Sequence, residues 1–273
     1  MNAAPAYRSL LFVPGSRPDR FDKAAESGAD SIIIDLEDAV LPGDKHEARN
    51  AALAWLENRA PGVEAGLRIN SPRTPEGNHD LAALAASSAR PAFIMVPKTQ
   101  TDIDLEIVSE ASGIDRILAI IECGRGLQNA YTIAARSQQG ILFGGVDFSA
   151  SLGAELDDWD ALLHARSVLA AACSAAGIPA YDAPFLDVRD TARLTDTSQK
   201  ARRLGYSGRA CIHPGQISPV NFVFSPSEDE VAHAKGVVAA LGEADGGVVL
   251  YQGKMVDRPV ILAAQRLLDR VKN

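Results

Sequence analysis

Eight short apolar runs are spaced along the chain, and each ends at or beside a polar or charged residue. The runs cover residues 10–14, 31–35, 66–70, 93–98, 116–122, 141–147, 180–184 and 209–213. Runs of this length with few internal charges are typical of strands that are buried on both faces. We therefore predict that they form the strands of a parallel sheet.

Helix-like segments separate the runs, so that strand and helix alternate eight times without a break in composition. These segments cover residues 18–27, 45–59, 80–88, 103–112, 127–137, 160–176, 187–204 and 227–241. Eight such units favour a closed barrel over an open, doubly wound sheet, and a chain of 273 residues has the size of one barrel. The sequence predicts a TIM-type (β/α)8 barrel over residues 1–242 and a C-terminal tail, 243–273, with an extension helix.

The composition argues against several classes of protein. A net charge of −8 disfavours general electrostatic binding of nucleic acid. The chain has no apolar stretch of about 18 residues, and residues 1–7 lack the apolar core of a signal peptide. Cys123, Cys173 and Cys211 are too widely spaced for a zinc site or a disulfide framework. We expect a cytoplasmic protein that binds neither nucleic acid nor a membrane.

Glu122 and Asp147 are the first candidates for chemistry. They end the predicted fifth and sixth strands, and such barrels have their active sites at the carboxyl ends of the strands. Neighbouring strand ends would bring the two carboxylates together. Mg²⁺ usually binds through one or two carboxylates and completes its octahedron with water and substrate. The alternative is a pair of acids that cap loop amides.

Arg68 is unusual because it lies inside an apolar strand, in the run 66–70. A planar guanidinium near the barrel axis can bind a substrate carboxylate with two parallel hydrogen bonds. The alternative is a buried ion pair with Glu37 or Asp38, and both can hold, because a carboxylate behind the arginine would fix it for its ligand. Glu37 and Asp38 are therefore predicted to orient Arg68 or a metal-bound water.

Three basic residues lie at the entry to the first predicted helix and within it. Arg17, Arg20 and Lys23 follow at intervals of three and so share a helix face. In an acidic protein such a row beside the barrel mouth suits a phosphate, to which Gly15 and the helix N-terminus would add backbone amides. The alternative, an ordinary solvated face, is the commoner explanation of such a row.

The C-terminal tail contains Asp257, which precedes a last amphipathic helix. The segment 227–241 is predicted as the eighth barrel helix, and it would lead away from the catalytic face by roughly 20 Å at about 1.5 Å per residue. The tail would then start at the opposite end of its own barrel. If Asp257 takes part in the chemistry, it would reach the active site of a neighbouring subunit more easily than its own. A tail packed on its own barrel also fits the sequence.

An ordered set of short segments extends along nearly the whole chain. They are 8–18 (RSLLFVPGSRP), 35–40 (DLEDAV), 68–70 (RIN), 97–98 (PK), 121–122 (IE), 144–147 (GGVD), 212–214 (IHP) and 253–259 (GKMVDRP). Together they resemble the citrate lyase β-subunit-like enzymes of the HpcH/HpaI aldolase and citrate lyase group, which includes malyl-CoA and citramalyl-CoA lyases. The set is specific, although each segment alone is weak.

The resemblance implies a modified β/α barrel that is typically a trimer and uses Mg²⁺ to break a carbon–carbon bond in a hydroxyacyl-CoA thioester. Glu122 and Asp147 match the metal ligands of the family, and Arg68 matches its oxo-acid-binding arginine. Asp257 matches the tail aspartate that acts as acid/base in a neighbour's active site. The resemblance also implies substrate or coenzyme A contacts from Phe12, Arg17, Lys23 and Val146.

One departure from the family pattern follows the metal-binding strand. Family members often have Glu-Thr-Ala-Arg-Gly or Glu-Ser-Ala-Arg-Gly there, whereas this chain has Glu122-Cys123-Gly124-Arg125-Gly126. The metal ligand is retained, and the small residues after it line the loop that faces the substrate. The acid that is recognised is therefore expected to differ from the commonest ones.

The predicted function is a Mg²⁺-dependent acyl-CoA lyase with a retro-Claisen mechanism. Mg²⁺ and Arg68 would stabilise the developing charge, and Asp257 would protonate the acetyl-CoA enolate. Citramalyl-CoA, giving acetyl-CoA and pyruvate, is the favoured substrate; malyl-CoA, citryl-CoA and 3-hydroxy-3-methylglutaryl-CoA are alternatives. Two other functions stay open: the β-subunit of a citrate lyase complex acting on a carrier-protein thioester, and a metal-dependent pyruvate aldolase that does not use coenzyme A.

Overall fold

Eight parallel strands close into a barrel in the order in which they follow along the chain. The structure is a computed structural model that describes residues 6–242 and 249–272. The strands are Ser9–Pro14 (β1), Ser31–Asp35 (β2), Glu64–Arg68 (β3), Ile94–Val96 (β4), Ile117–Ile121 (β5), Gly140–Phe143 (β6), Ala180–Asp182 (β7) and Gly208–Cys211 (β8). Pairing of β1 with β8 closes the sheet. The predicted TIM-type barrel is confirmed.

Apolar side chains cover both faces of the barrel strands. In β1, Leu10 and Phe12 belong to the cluster inside the barrel, whereas Leu11 belongs to the core between strands and helices. The interior is tight enough to require a glycine in β3, because a Cβ at Gly66 would lie 2.4 Å from the ring of Phe93. This burial on both faces explains why the strands are continuous apolar runs rather than alternating ones.

Helices connect the strands and surround the barrel. They are Phe21–Ala25 (α1), Lys45–Asn58 (α2), Pro75–Ala86 (α3), Asp102–Ser112 (α4), Gly124–Gln128 (α5), Ala130–Arg136 (α6), Gly145–Leu152 (α7), Leu163–Ala176 (α8), Thr191–Arg203 (α9) and Ile217–Phe224 (α10). Short 3₁₀ helices at Pro18–Arg20, Pro42–Asp44 and Pro214–Gln216 begin with proline, whose fixed φ suits the first helical position. The observed order follows the predicted alternation of strand and helix.

The chain forms two compact units, Met1–Phe224 and Ser225–Asn273. The second unit contains Glu228–Gly242 (α11), a hairpin of Val249–Tyr251 (β9) and Lys254–Val256 (β10), and Arg258–Lys272 (α12). In this unit Ala234 and Val237 of α11 form an apolar cluster with Ile261 and Ala264 of α12. The predicted division after residue 242 therefore differs from the observed one, since α11 packs with the tail.

The helix that follows β8 and packs on the barrel is α10, which contacts β1, β8 and α9. The sequence analysis assigned this place to the segment 227–241. The geometric argument that the tail starts at the wrong end of its barrel rested on that assignment. It therefore gives no information about the location of Asp257.

Six of the eight predicted strands end one to four residues earlier than expected, and two of these differences affect the connections above the barrel. The run 141–147 leaves the sheet after Phe143, and Asp147 lies in the first turn of α7. The run 93–98 leaves the sheet after Val96, where Pro97 removes a backbone donor. Both differences place polar side chains on the connections above the barrel. Within the described residues, no helix is long and apolar enough to span a membrane.

Candidate active site at the carboxyl ends of the strands

A cavity of about 400 Å³ lies at the carboxyl ends of the barrel strands. Of the residues predicted for the site, it is lined by Phe12, Asp38, Arg68, Glu122, Val146 and Asp147. Its other lining residues are Pro14, Asp35, Ala39, Ile120, Leu142, Gly144, Gly145, Pro184 and Ile212. The fold thus gathers side chains that are far apart in sequence at the end of the barrel where such enzymes have their chemistry.

Glu122 follows β5 directly and is buried. Its Oε1 accepts a hydrogen bond from the backbone amide of Lys98 at 2.5 Å, whereas its Oε2 receives no hydrogen bond from the described residues. Burial, then the negative charges of Glu37 and Asp147, raise the pKa of the Glu122 carboxyl to about 8. One carboxylate oxygen is therefore oriented by the backbone, and the charge of Arg68, which lowers the pKa of Glu122, does not outweigh burial and the two neighbouring carboxylates.

Asp147 lies across a Gly-Gly turn from Glu122. A Cβ at Gly144 would lie 2.5 Å from the Glu122 Cβ and 2.6 Å from its Oε2, so only glycine lets the two segments approach this closely. Asp147 makes no hydrogen bond to the described part of the chain. Its charge contributes to the raised pKa of Glu122, which shows that the two carboxylates are electrostatically coupled.

The charges of the cavity fit a bound divalent cation. Four carboxylates line it, and Arg68 is the one cationic side chain among its described lining residues. Arg68 neutralises Asp35, and Asp38 is paired with Lys98, which leaves Glu122 and Asp147 as the oxygen donors without an ion pair. In the described chain no group of three or more His, Cys, Asp or Glu is placed to hold a metal. Two carboxylates with the remaining positions left to water and substrate are the arrangement that Mg²⁺ commonly uses.

Arg68 lies at the end of β3 and is fixed from several sides. Its Nε and Nη2 donate to the two oxygens of Asp35, both at 2.6 Å, and the ring centroid of Phe12 is 4.8 Å from its Cζ. Its Nη1 is 3.2 Å from Glu37 Oε2, an ion-pair distance without hydrogen-bond alignment. Burial opposes the charge of Arg68, but the charge and hydrogen bonds of Asp35 outweigh it and raise the arginine pKa.

The main partner of Arg68 is thus Asp35, not Glu37 or Asp38 as the sequence analysis proposed for a buried ion pair. Asp35 and Arg68 are directly paired residues in the register of β2 and β3. The sequence analysis placed Arg68 inside the run 66–70, whereas the observed strand ends at Arg68, directly opposite Asp35. The carboxylate of Asp35 also accepts the backbone amides of Glu37 and Ala39, which fixes the loop after β2.

Lys98 joins the acids that follow β2. Its Nζ donates to Glu37 Oε1 at 2.5 Å and to Asp38 Oδ1 at 3.3 Å. Glu37 therefore lies between Arg68 and Lys98 and pairs with both. Asp38 is largely exposed and pairs with Lys98 but not with Arg68. Burial opposes the ammonium charge, but the bonds to Glu37 outweigh it and raise the pKa of Lys98. A lysine held in its protonated form is poorly suited to form a Schiff base.

The residues of the predicted phosphate-binding row are exposed, and one of them has an ion-pair partner. Arg17 forms an exposed ion pair with Asp19 at 2.7 Å, and Lys23 is exposed in α1. The Gly15 amide donates to the Asp35 carbonyl at 2.7 Å and is therefore not available to an anion. Arg17 and Lys23 do not line the described cavity, so a role in binding coenzyme A stays a prediction.

Asp257 belongs to the second compact unit and precedes α12 directly. Its Oδ1 accepts the amide of Val260 at 3.4 Å, and its carbonyl accepts the amide of Ile261 at 3.1 Å. These contacts cap the helix and leave the second carboxylate oxygen without a described hydrogen bond. Its predicted role as acid/base stays a prediction.

A closed parallel barrel with uncompensated carboxylates and a fixed guanidinium at its carboxyl end is typical of cation-dependent TIM-barrel enzymes that act on anionic substrates. The sequence model of the HpcH/HpaI aldolase/citrate lyase family matches residues 8–214, and the chain belongs to this family. The family named from the short segments is thereby confirmed.

The known proteins that resemble this chain differ in what they do. A protein named citrate lyase subunit beta, from Leuconostoc mesenteroides subsp. cremoris, is 35% identical over 98% of this chain and 94% of its own length. A (3S)-malyl-CoA thioesterase from Cereibacter sphaeroides is 33% identical over 98% of this chain and 96% of its own length. The crystal structure of CitE from Mycobacterium tuberculosis with magnesium, acetoacetate and coenzyme A is 34% identical, covers 98% of this chain and 99% of its own, and superposes with a TM-score of 0.84.

Proposed function

We propose that this protein is a Mg²⁺-dependent lyase that cleaves a 3-hydroxy-3-carboxyacyl-CoA into acetyl-CoA and a 2-oxo acid. The observation that carries the proposal is the pair Glu122 and Asp147, two carboxylates without a cationic partner beside an arginine in one cavity. The family match and the magnesium, acetoacetate and coenzyme A bound by the CitE relative support the same chemistry.

The residues of this chain have separate tasks in the proposed reaction. Glu122 and Asp147 would hold Mg²⁺, which would supply positive charge to the substrate oxygens as the hydroxyl group loses its proton to solvent and its carbon becomes a carbonyl. Arg68, fixed by Asp35, binds the carboxylate next to that carbon and keeps the breaking bond oriented. Asp257 gives a proton to the acetyl-CoA enolate that leaves, and in the reverse direction it takes that proton.

The lining of the cavity favours a pyruvate-forming substrate. Arg68 is the one cation among the described lining residues, and it is matched to one carboxylate. The cavity wall also contains Ile120, Leu142 and Pro184, which suit a methyl group and offer no donor to a further acid. Citramalyl-CoA carries a methyl group where citryl-CoA carries a second carboxylate, so we favour citramalyl-CoA. Malyl-CoA, with a hydrogen there, would leave the apolar wall unfilled.

A panel assay tests the reaction and its substrate. Citramalyl-, malyl-, citryl- and 3-hydroxy-3-methylglutaryl-CoA are incubated with Mg²⁺, with and without EDTA, and acetyl-CoA and the oxo acid are both measured. We expect Mg²⁺-dependent release of acetyl-CoA and pyruvate from citramalyl-CoA, which Glu122→Gln abolishes. Release from malyl- or citryl-CoA would change the acid. Release from 3-hydroxy-3-methylglutaryl-CoA alone, which has no carboxylate on its hydroxyl carbon, or no release from any of the four would contradict the proposal.

Hydrolysis of the thioester is a second candidate, because one relative is a (3S)-malyl-CoA thioesterase. The two reactions differ in their products: hydrolysis gives free coenzyme A and an intact hydroxy acid, and cleavage gives acetyl-CoA and an oxo acid. A thiol reagent that detects free coenzyme A therefore distinguishes them in the same assay. Immediate thiol release without an oxo acid would favour the thioesterase.

The remaining alternatives concern the carrier of the acyl group. A citrate lyase β-subunit would act on an acyl carrier protein, in line with the name of one relative, and would be inactive on free coenzyme A thioesters. A pyruvate aldolase would cleave a free hydroxy-oxo acid and would be indifferent to Arg17→Ala and Lys23→Ala. Both variants are expected to raise the KM for the thioester if Arg17 and Lys23 contact coenzyme A.

Shared active sites are part of the proposal, with Asp257 acting in a neighbouring subunit of a homotrimer. Mixing inactive Glu122→Ala and Asp257→Ala subunits tests this directly, because a mixed oligomer contains some sites that are intact. Recovered activity would support sharing. No recovery, in a mixture whose subunits demonstrably exchange, would assign Asp257 to its own barrel.

A further inference from the structure

Lys98 has a left-handed backbone conformation, with a φ of 53°. Residues with a Cβ avoid this region because the side chain approaches its own carbonyl, and Asn, Asp and Gly are the usual exceptions. A lysine is therefore retained in this conformation only if its surroundings impose it. Its immediate neighbours, Pro97 and Thr99, are both buried, while the Lys98 side chain is exposed.

The connection after β4 is fixed on both sides of Lys98. Val96 ends the strand, and Pro97 follows with a restricted φ and no backbone donor. Thr99 is fully buried, its amide donates to the Ile120 carbonyl at 3.2 Å, and its Oγ1 donates to the Val96 carbonyl at 2.9 Å. Lys98 lies between these anchors, which hold its backbone in the left-handed conformation.

This turn directs the Lys98 amide at one oxygen of Glu122. The amide donates to Oε1 at 2.5 Å, so this oxygen is held by the backbone. Oε2 lies on the other side, against the open backbone of Gly144, where a Cβ would be 2.6 Å away. Backbone on both sides therefore selects one orientation of the carboxylate, with Oε2 left without a described donor.

We propose that Lys98 is a positioning residue whose left-handed backbone amide occupies Oε1 of Glu122 and thereby presents Oε2 to the divalent cation. The inference rests on the proposed role of Glu122 as a metal ligand. The Lys98 ammonium, paired with Glu37 and Asp38, is a separate contact and is not required for this role. Backbone conformation and side-chain charge can therefore be changed independently.

Three variants separate the two contributions. Lys98→Gly removes the ammonium and favours the left-handed turn, Lys98→Met removes the charge with little change in backbone preference, and Lys98→Val disfavours the turn because valine is β-branched. Mn²⁺ serves as the probe: its dissociation constant is measured by electron paramagnetic resonance on the full chain without substrate, and Glu122→Gln is the reference for loss of the ligand. Thermal unfolding in EDTA checks that each variant is folded.

We expect Lys98→Gly and Lys98→Met to bind Mn²⁺ within about twofold of wild type, and Lys98→Val to bind about 10- to 100-fold more weakly, the range typical of groups that orient a metal ligand. Equal binding by all three variants would overturn the inference, and so would an equal loss in all three, which would assign the effect to the ammonium. If Lys98→Val does not fold, weaker binding by Lys98→Gly than by Lys98→Met would also overturn it. If instead Glu122→Gln binds Mn²⁺ like wild type, the proposed function itself fails.

Discussion

Two arginine–aspartate pairs occupy corresponding positions in the barrel and have different surroundings. Asp35 and Arg68 are register partners in β2 and β3, and Asp182 and Arg209 are register partners in β7 and β8. In both pairs a guanidinium nitrogen donates to the carboxylate at 2.6 Å. The pairs differ in what the remaining donors contact, and this difference separates a binding group from a structural one.

Arg209 uses its other donors within the fold. They bond the Ala183 carbonyl, Thr197 Oγ1 and Ser198 Oγ, and the side chain is 3% exposed. Asp182 also accepts a hydrogen bond from Arg166. Burial is the largest influence on Arg209 and lowers its pKa, which shows that this charge is costly to keep. The cluster joins β7 and β8 to α9, and each nitrogen of the Arg209 guanidinium donates to a group of the fold.

Arg68 is also paired with an aspartate, but one side of its guanidinium faces the cavity. Its side chain is 14% exposed and lines the cavity next to the free carboxylates of Glu122 and Asp147. An ion pair alone therefore says little about function. What distinguishes the site is excess charge of one sign around a cavity, because an excess that the fold does not neutralise requires a ligand that does.

The largest expected effect is that of Glu122→Gln. Losing one of two carboxylate ligands should lower kcat/KM by about 10³-fold, since several kcal/mol of charge stabilisation depend on the cation.

The folded pKa of Glu122, about 8, lies above its ordinary value of 4.5, so the ionised group destabilises the apoprotein increasingly as the pH rises from 4.5 through 8. In EDTA at pH 9 the variant should therefore melt at a higher temperature than wild type. Equal melting temperatures would contradict this account of the buried charge.

A matched pair of substitutions tests the two arginines. Arg68→Lys keeps the charge but loses the planar fork, and we expect kcat/KM to fall by about 10²-fold with little change in the unfolding midpoint. Arg209→Lys should instead lower the free energy of unfolding by about 3 kcal/mol, because buried donors and acceptors lose their partners. Denaturant titrations and steady-state kinetics on both variants give the comparison. Similar changes in both observables for both variants would remove the proposed distinction.

Gly144→Ala tests the close packing of the Gly144 backbone against the side chain of Glu122. The added Cβ would meet Glu122 at 2.5 Å, so the carboxylate must move and Mg²⁺ affinity should fall by roughly 10- to 100-fold. Gly124→Ala is the control, because a Cβ there has no described atom within 4 Å and the backbone is not left-handed. Isothermal titration with Mg²⁺ measures both; equal affinity of the two variants would contradict the expected clash.

The smallest expected effect is a pH dependence of Mg²⁺ binding. Below pH 8 the cation must displace the proton of Glu122, so affinity should increase by about tenfold between pH 7 and pH 9 and level off above that. Titrations at a series of pH values test the sign. Glu122→Gln should flatten the profile, and an affinity that decreases with pH would contradict it.

The fold could be predicted from the sequence because each strand is an apolar run buried on both faces, and because strand and helix alternate regularly. The candidates Arg68, Glu122 and Asp147 in the cavity followed from the same pattern, since side chains at strand ends converge in a barrel. Register supplied what local pattern could not: Asp35, not Asp38, is opposite Arg68, and only the closed sheet places it there. The proposed role of the Lys98 amide also escaped the sequence, because the backbone direction at Lys98 depends on anchors in β4 and β5.

The sequence by itself determined the barrel, the family and the identities of the candidate residues, because hydrophobic periodicity and short ordered segments are properties of the chain. The tertiary structure decided which helix covers β8, since α10 and α11 are both plausible helices and packing alone separates them. It also decided which charges are neutralised. Neutralisation depends on distances of a few ångströms between residues far apart in the chain, and such distances exist only after folding.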